Sequence, residues 1–358
     1  MWPTSVSRAE GAEPAPGLNR RGWIIAGVGL AALTVAAVLA AWLSAAAGRP
    51  TTPVYDSSSP AMARTWTWDG SDFAVQPATG PGPSSSAADM AYDRRSGAVV
   101  LWDHGCGRLV MGFTGGCQSQ VNQTWTWDGR SWARHKQGSG PSAVGQGAMV
   151  YDGGLGQVLY VNRRGEAWAW TGAAWQVVAR NGAPHLAEPG SQANPELSLV
   201  AAGYDEKLQK LVLALPSTTW SWDGRSWSQV SGGIDAADGQ ADPRAVGAGA
   251  LGQLAYLGSR FLWTWDGSRW QSRPQPAGGA GTLGYDPTRG KLVAVRQDDS
   301  ACDRTACPMR VWTWDGTAWS APRVAHQPLL PLTRSGAVNP PLAFDEARQV
   351  LVLFVSGN

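Results

Sequence analysis

Nowhere in its 358 residues does this chain gather a block of five or six like charges; charged residues reach only 16 %, and the formal net charge is +2. A general electrostatic nucleic-acid binder carries a basic stripe, so no nucleic-acid partner is expected. Cysteine is scarce, at four, without the paired C-x2-C spacing of a four-thiolate metal site. Histidine is equally scarce, and neither H-E-x-x-H nor H-x-H occurs. A Ser-His-Asp signature and a phosphate-binding loop are missing as well. No cofactor and no metal are expected.

Long hydrophobic runs are missing too, with one exception. Residues 23–47 (WIIAGVGLAALTVAAVLAAWLSAAA) hold no charge, and about 20 apolar helical residues cross a bilayer core. Arg8, Arg20 and Arg21 precede the run, whereas only Arg49 follows closely. This asymmetry predicts a cytoplasmic tail over 1–21, a single transmembrane anchor helix over 22–47 and an exported remainder. A cleaved signal peptide is the alternative, since Ser44-Ala45-Ala46-Ala47 resembles a cleavage site. The apolar core of a signal peptide is usually about 7–15 residues, and the run is longer than that. Residues 48–63 read as an extracytoplasmic linker.

What the chain has in excess is tryptophan, 21 residues, with glycine at 45 and proline at 24. The excess is organised. "TWTWDGRSW" (124–132) recurs as "TWTWDGSDF" (65–73), "AWAWTGAAW" (167–175), "TWSWDGRSW" (219–227), "LWTWDGSRW" (262–270) and "VWTWDGTAW" (311–319). The aromatics of the six copies are Trp66, Trp68 and Phe73; Trp125, Trp127 and Trp132; Trp168, Trp170 and Trp175; Trp220, Trp222 and Trp227; Trp263, Trp265 and Trp270; and Trp312, Trp314 and Trp319. A two-residue spacing puts the first two on one face of a strand. Asp-Gly then signals a tight hairpin turn, and the third aromatic returns beside the first two. Fixed spacing in six copies marks these rings as packing devices, because a binding site has no reason to recur six times.

A second unit alternates with the first: "DMAYDRRSGAVVLW" (89–102), "AMVYDGGLGQVLYV" (148–161), "VAAGYDEKLQKLVLAL" (200–215), "GTLGYDPTRGKLVAV" (281–295) and "PLAFDEARQVLVLFV" (341–355). Each reads as strand, polar turn, apolar strand. A degenerate copy, "AVGAGALGQLAYLG" (245–258), lacks the Tyr-Asp step. Six hairpins of each kind predict an all-β, six-bladed β-propeller of four-stranded blades over 64–358. The lone hairpins at 65–73 and 341–355 together supply one blade, so strands from both ends close the ring and leave no sheet edge open.

The first tryptophans of successive cassettes lie 43 to 59 residues apart, near the kelch period of about 50. In the order "MAYD", "AVVLW", "TWTWD", "RSW" the chain resembles kelch-type β-propellers, a fold shared with the central domain of galactose oxidase. The Gly-Gly after the second strand, usual in that family, is mostly missing here. Counterparts of the tyrosine, histidine and cysteine ligands of the galactose oxidase copper site cannot be placed, and copper chemistry is not implied. The resemblance implies a fold rather than an activity.

Strand order puts the short turns on one face and the long connections (103–123, 176–196, 228–244, 296–310 and 320–339) on the other, which makes the long-loop face the candidate ligand surface. It holds Cys106 with Cys117 and Cys302 with Cys307, read as two local disulfides, and the histidines His104, His135, His185 and His326. Candidate ligand-face residues are His104, Arg108, His135, Asp298, Asp299 and Arg304; no catalytic residue is assigned. The first reading is a monomeric, membrane-anchored binding or scaffolding module, single-pass in the cell membrane with the propeller outside, whose partner is a protein or a cell-envelope glycan. The alternative is a carbohydrate-active enzyme, sialidase-like or another glycan hydrolase or lyase, with acidic and arginine residues at the propeller mouth. "TWDGRSW" is loosely similar to the sialidase Asp box, and Arg108, Arg244, Arg304 and Arg323 are available arginines.

Overall fold

Each tryptophan cassette forms the third strand of a sheet and the turn into the fourth, and each Tyr-Asp unit forms the first and second. The computed structural model describes residues 64–77, 80–84, 88–104, 106–110, 116–135, 140–141, 147–162, 166–179, 199–239, 243–248, 252–279, 281–303, 306–331 and 340–356, with 106–110 and 116–120 as backbone. All belong to a unit spanning residues 53–358. The apolar run 23–47 lies outside them; among the described residues no helix is long and apolar enough to cross a membrane.

Six antiparallel four-stranded sheets form the blades. Blade 1 comprises Ala88–Asp93, Ala98–Asp103, Gln123–Trp127 and Trp132–Arg134. Blade 2 comprises Ala148–Asp152, Gln157–Val161, Ala167–Trp170 and Trp175–Ala179. Blade 3 comprises Ala201–Asp205, Lys210–Ala214, Thr219–Trp222 and Trp227–Ser231. Blade 4 comprises Val246–Gly247, Leu254–Leu257, Leu262–Trp265 and Trp270–Arg273. Blade 5 comprises Thr282–Asp286, Lys291–Gln297, Ala306–Trp314 and Trp319–Ser320, with Leu329–Pro331 paired to the third strand. Blade 6 takes Leu342–Asp345 and Val350–Val355 from one end of the ring and Arg64–Trp68 and Phe73–Gln76 from the other. There Trp66 pairs with Leu353 and Trp68 with Leu351, which closes the ring.

Among the described residues the core forms six clusters, and each spans a blade boundary. Trp127 and Trp132 of blade 1 meet Val352 and Phe354 of blade 6. Trp170 and Trp175 of blade 2 meet Val100 and Trp102 of blade 1, and Trp222 of blade 3 meets Val150 and Leu159 of blade 2. Trp265, Trp314 and Trp68 repeat the arrangement on blades 3, 4 and 5. In every case the tryptophan face lies on the preceding blade. The second strand is therefore covered on both sides, which is why Val99, Val100 and Leu101 are all buried and read as a continuous apolar run rather than an alternating one. Within each cassette the second and third aromatics are direct cross-strand partners, with ring centroids 4.8 to 6.1 Å apart. Some indole nitrogens reach across the same boundary. Trp132 donates to Thr65 Oγ1 and Trp175 to Thr124 Oγ1, both at 2.8 Å.

The Asp-Gly turns are longer than a two-residue hairpin. Trp127 pairs with Trp132 across a four-residue loop, and Asp128 Oδ1 accepts from the amides of Arg130 and Ser131, both at 2.8 Å. Gly129 follows at φ 95°, a left-handed value that glycine adopts without a Cβ penalty. In the copy that lacks the aspartate, Thr171 Oγ1 accepts the equivalent Ala174 amide at 3.1 Å, and Gly172 keeps φ 93°. A hydroxyl thus does the work of the carboxylate. The long connections also differ from plain loops. Within 103–123 the strands Cys106–Val110 and Gly116–Gln120 form a hairpin, and within 296–310 the blade 5 strands run on to Gln297 and start again at Ala306.

Two outcomes follow. Deleting 64–76 removes half of blade 6 and exposes the Val350–Val355 edge; size-exclusion chromatography should show association and calorimetry a lower Tm, whereas a monomer with unchanged melting would contradict closure. Replacing Asp128 with Ala should cost about 1 kcal/mol in urea unfolding, as loss of a capping acceptor does, and Asp128→Thr should cost less.

Candidate functional site

The Tyr-Asp step has a division of labour. Its aspartate closes its own turn: Asp93 Oδ1 accepts from Arg95 N, and Asp205 Oδ1 accepts from Lys207 N and Leu208 N, each at 3.0 Å. Its tyrosine reaches the turn of the preceding blade. The Gly154 amide of blade 2 donates to Tyr204 Oη of blade 3 at 2.7 Å. Burial, with the Asp152 carboxylate beside it, pushes the Tyr204 phenol up to about 12. This tyrosine therefore seals the inner end of its blade and stays protonated.

Between the inner strands lies an axial cavity of about 420 Å³. Met90, Met149, Val246 and Leu342 give it apolar walls; Tyr92, Tyr151, Tyr204, Tyr285 and Phe344 give it aromatic ones. Buried Arg244 crosses the axis, and its Nη1 donates to the backbone oxygens of Met90 at 3.1 Å and Leu342 at 2.5 Å. At the mouth, Arg94 Nη1 meets Glu206 Oε1 and Arg94 Nε meets Glu346 Oε1, both at 2.8 Å, and the guanidinium lies 5.1 Å over the Tyr151 ring. Burial works against the Arg94 charge, but the two glutamates outweigh it and raise its pKa. Arg94 is 43 % exposed, so each of these pairs is worth only about 0–1 kcal/mol. The bar across the mouth is ordered but weakly held. Because its members sit in the turns that follow the inner strands, the cavity opens on the short-turn face.

One blade breaks the aromatic ring. Rungs run straight across the sheets: Tyr204–Leu211–Trp222–Trp227 in blade 3 and Tyr285–Leu292–Trp314–Trp319 in blade 5. The matching rung of blade 4 is Gly247–Leu254–Trp265–Trp270. Gly247 thus stands where five blades carry Tyr or Phe.

Of the long-loop-face candidates, His104, His135, Asp298 and Asp299 lie among the described residues, and each has its own partner. His104 is buried and its Nε2 lies 2.8 Å from Asp89 Oδ2. His135 Nε2 bonds Thr126 Oγ1 at 3.0 Å, with its ring against Trp170, and burial lowers its pKa. Asp298 caps the short turn Asp299–Ala301 and meets Arg310 Nη2 at 2.6 Å; burial opposes its charge, and Ser300 and Arg310 lower its pKa on balance. Asp299 accepts from Gln297 at 2.8 Å. Cys302 and Cys307 form a disulfide. The Arg108, Cys106 and Cys117 side chains, Arg304 and His185 lie outside the described residues. His326 departs from the expected face: its Nδ1 lies 2.7 Å from Asp72 Oδ2, in the closing Asp-Gly turn. Among the described residues no cluster of His, Cys, Asp or Glu is placed to hold a metal. Arg94, Glu206, Glu346 and Gly247 carry no motif of their own; their only sequence signal is position, directly after a Tyr-Asp step or where that step is lost.

Fold and site together define a six-bladed β-propeller with an axial cavity. No protein-family model matches the sequence, and no curated protein sequence matches it. Among solved structures, a protein described as a TolB from Agrobacterium tumefaciens is similar at a TM-score of 0.48 and 11 % identity, covering 82 % of this chain and 98 % of its own. YCF48 bound to a D1 peptide follows at 0.36 and 12 %, covering 86 % and 100 %. A chain of the mitotic checkpoint complex gives 0.39 and 10 %, covering 78 % and 93 %. The six-bladed assignment rests on this chain's own sheets rather than on these likenesses.

The His104–Asp89 pair predicts a pH dependence. Burial lowers the imidazole pKa, but Asp89 outweighs it and the net shift is upward from 6.5. A folded-state pKa above the unfolded one gives stability that is full below about pH 6.5 and lost as pH rises through the folded value. Wild-type Tm should therefore fall with rising pH more steeply than that of His104→Gln, and the two curves should draw together at high pH. Parallel curves would remove the linkage.

Proposed function

We propose that this chain is a binding or scaffolding module, of kelch-type descent, whose ligand enters the axial cavity from the short-turn face. The form of the cavity carries the reading: apolar and aromatic walls under a charged rim whose two carboxylates, Glu206 and Glu346, are both engaged by Arg94. The volume falls in the ordinary range of ligand sites, about 300–1,000 Å³. A general acid or base needs a carboxylate placed to exchange a proton with substrate, and an arginine grip on both works against that. The competing reading, a glycan hydrolase or lyase, is favoured by the same two glutamates standing beside an arginine.

The proposal extends to location. A helix over 22–47 anchors the chain with its N-terminus inside and the propeller outside, supported by the basic residues ahead of the run. The Cys302–Cys307 disulfide suits an oxidising compartment. The 16-residue linker spans at most about 55 Å, so the partner, a protein or an envelope glycan, is met close to the membrane.

Envelope extracts passed over the immobilised full chain should yield a retained component, and Glu206→Gln with Glu346→Gln should reduce its retention severalfold. The same chain should turn over nothing in a glycan-hydrolysis screen. Turnover that vanished in either glutamine variant would replace the binding reading with the enzymatic one. Protease digestion of intact cells should remove the propeller; full protection would refute the exported location.

A further inference from the structure

The gap at Gly247 bears on what the cavity binds. Other glycines on the inner strands are required by crowding. A Cβ at Gly284 would lie 2.7 Å from Leu342 Cδ2, and one at Gly203 would lie 2.8 Å from the Ala245 oxygen. Gly247 has neither that reason nor a backbone one. It is not among the glycines with positive φ, and among the described residues a Cβ built there meets nothing within 4 Å. The position lines the cavity, and it is filled by an aromatic residue in the five other blades.

Building on the binding role proposed above, we propose that this gap is a subsite for an aromatic side chain presented by a protein partner, which completes the ring that blade 4 leaves open. The walls decide between a side chain and a sugar. Below the rim the cavity presents Met90, Met149, Val246 and Leu342, while the Tyr204 hydroxyl is already taken by the turn of the preceding blade. A sugar would set several of its hydroxyls against these apolar walls, and an unpaired buried polar group is costly. An aromatic ring needs none, gains from burial, and packs edge or face against rings already there. The floor suits it as well, since a guanidinium such as that of Arg244 favours an aromatic face. A cavity of about 420 Å³ admits one or two side chains and excludes a folded segment. The charged rim of Arg94, Glu206, Lys207 and Glu346 then meets the polar backbone of the segment that carries the ring.

The test uses the full chain and three capped tripeptides, Ac-Ala-X-Ala-amide with X as Phe, Leu or Ala, followed by ligand-observed NMR, with methyl β-D-glucoside as the sugar arm. The Phe peptide should bind about tenfold more tightly than the Ala peptide. Gly247→Phe, which restores the repeat, should keep the unfolding midpoint and lose that preference. If that variant fails to fold, Gly247→Cys labelled after folding with benzyl methanethiosulfonate fills the same space and should also lose it. Equal binding of the Phe and Ala peptides, or undiminished Phe binding when the gap is filled, would overturn the inference. Glucoside bound in place of peptide and excluded by the filled gap would overturn the aromatic assignment and leave the binding reading standing. Glycan turnover, by contrast, would overturn the binding reading itself.

Discussion

One contact made six times holds this protein together: the tryptophan face of a blade lying on the aliphatic face of the blade before it. A blade of four short strands has two faces to cover, and alone it can cover neither. Large rings on one face and small branched side chains on the other solve this for every boundary at once, provided that the ring closes. Closure is thus a packing requirement as much as a topological one. Without the strands Arg64–Trp68 and Phe73–Gln76, Trp68 and Phe73 would leave the aliphatic residues of blade 5 uncovered. The hydrogen bonds across these boundaries, such as Trp132 to Thr65, fix rotation between blades but do not supply the bulk of the burial.

The turns obey a second constraint, the need to satisfy amides where the chain reverses. Two different motifs meet it with the same chemistry, an acceptor oxygen taking amides two and three residues ahead. Thr171 shows that the constraint concerns the acceptor and not the charge. Because the aspartates of the Tyr-Asp steps serve the turns, their burial at the channel is structural, and their regular recurrence argues for no catalytic role. Function has to be sought where the repeat is broken. The break is blade 4, whose short inner strand replaces the aromatic step with Gly247 and Ala248 and which is preceded by Arg244 crossing the axis. Loss of one ring from a set of six is what makes the cavity asymmetric.

Tryptophan at fixed spacing, Asp-Gly turns and alternating apolar units were enough to read an all-β ring of six four-stranded blades and its closure by both ends. These are local signals repeated often enough to add up: period two places a side chain on a face, and a count of hairpins gives a count of blades. The sequence also showed that the unit at 245–258 was degenerate, without showing what its degeneracy opens.

The site was a different matter. Arg94, Glu206 and Glu346 lie in turns that look like plain connections, some 110 and 250 residues apart, and no local pattern links them. The long loops and their histidines carry the more visible sequence signal, yet the described histidines are paired or packed within the scaffold, and His326 lies by the closing turn. The sequence by itself therefore determined the repeat, because each blade's signals lie within one stretch of about 50 residues. Only the tertiary structure decided which turns meet, because a ring brings the inner ends of all six blades to one axis whatever their distance along the chain.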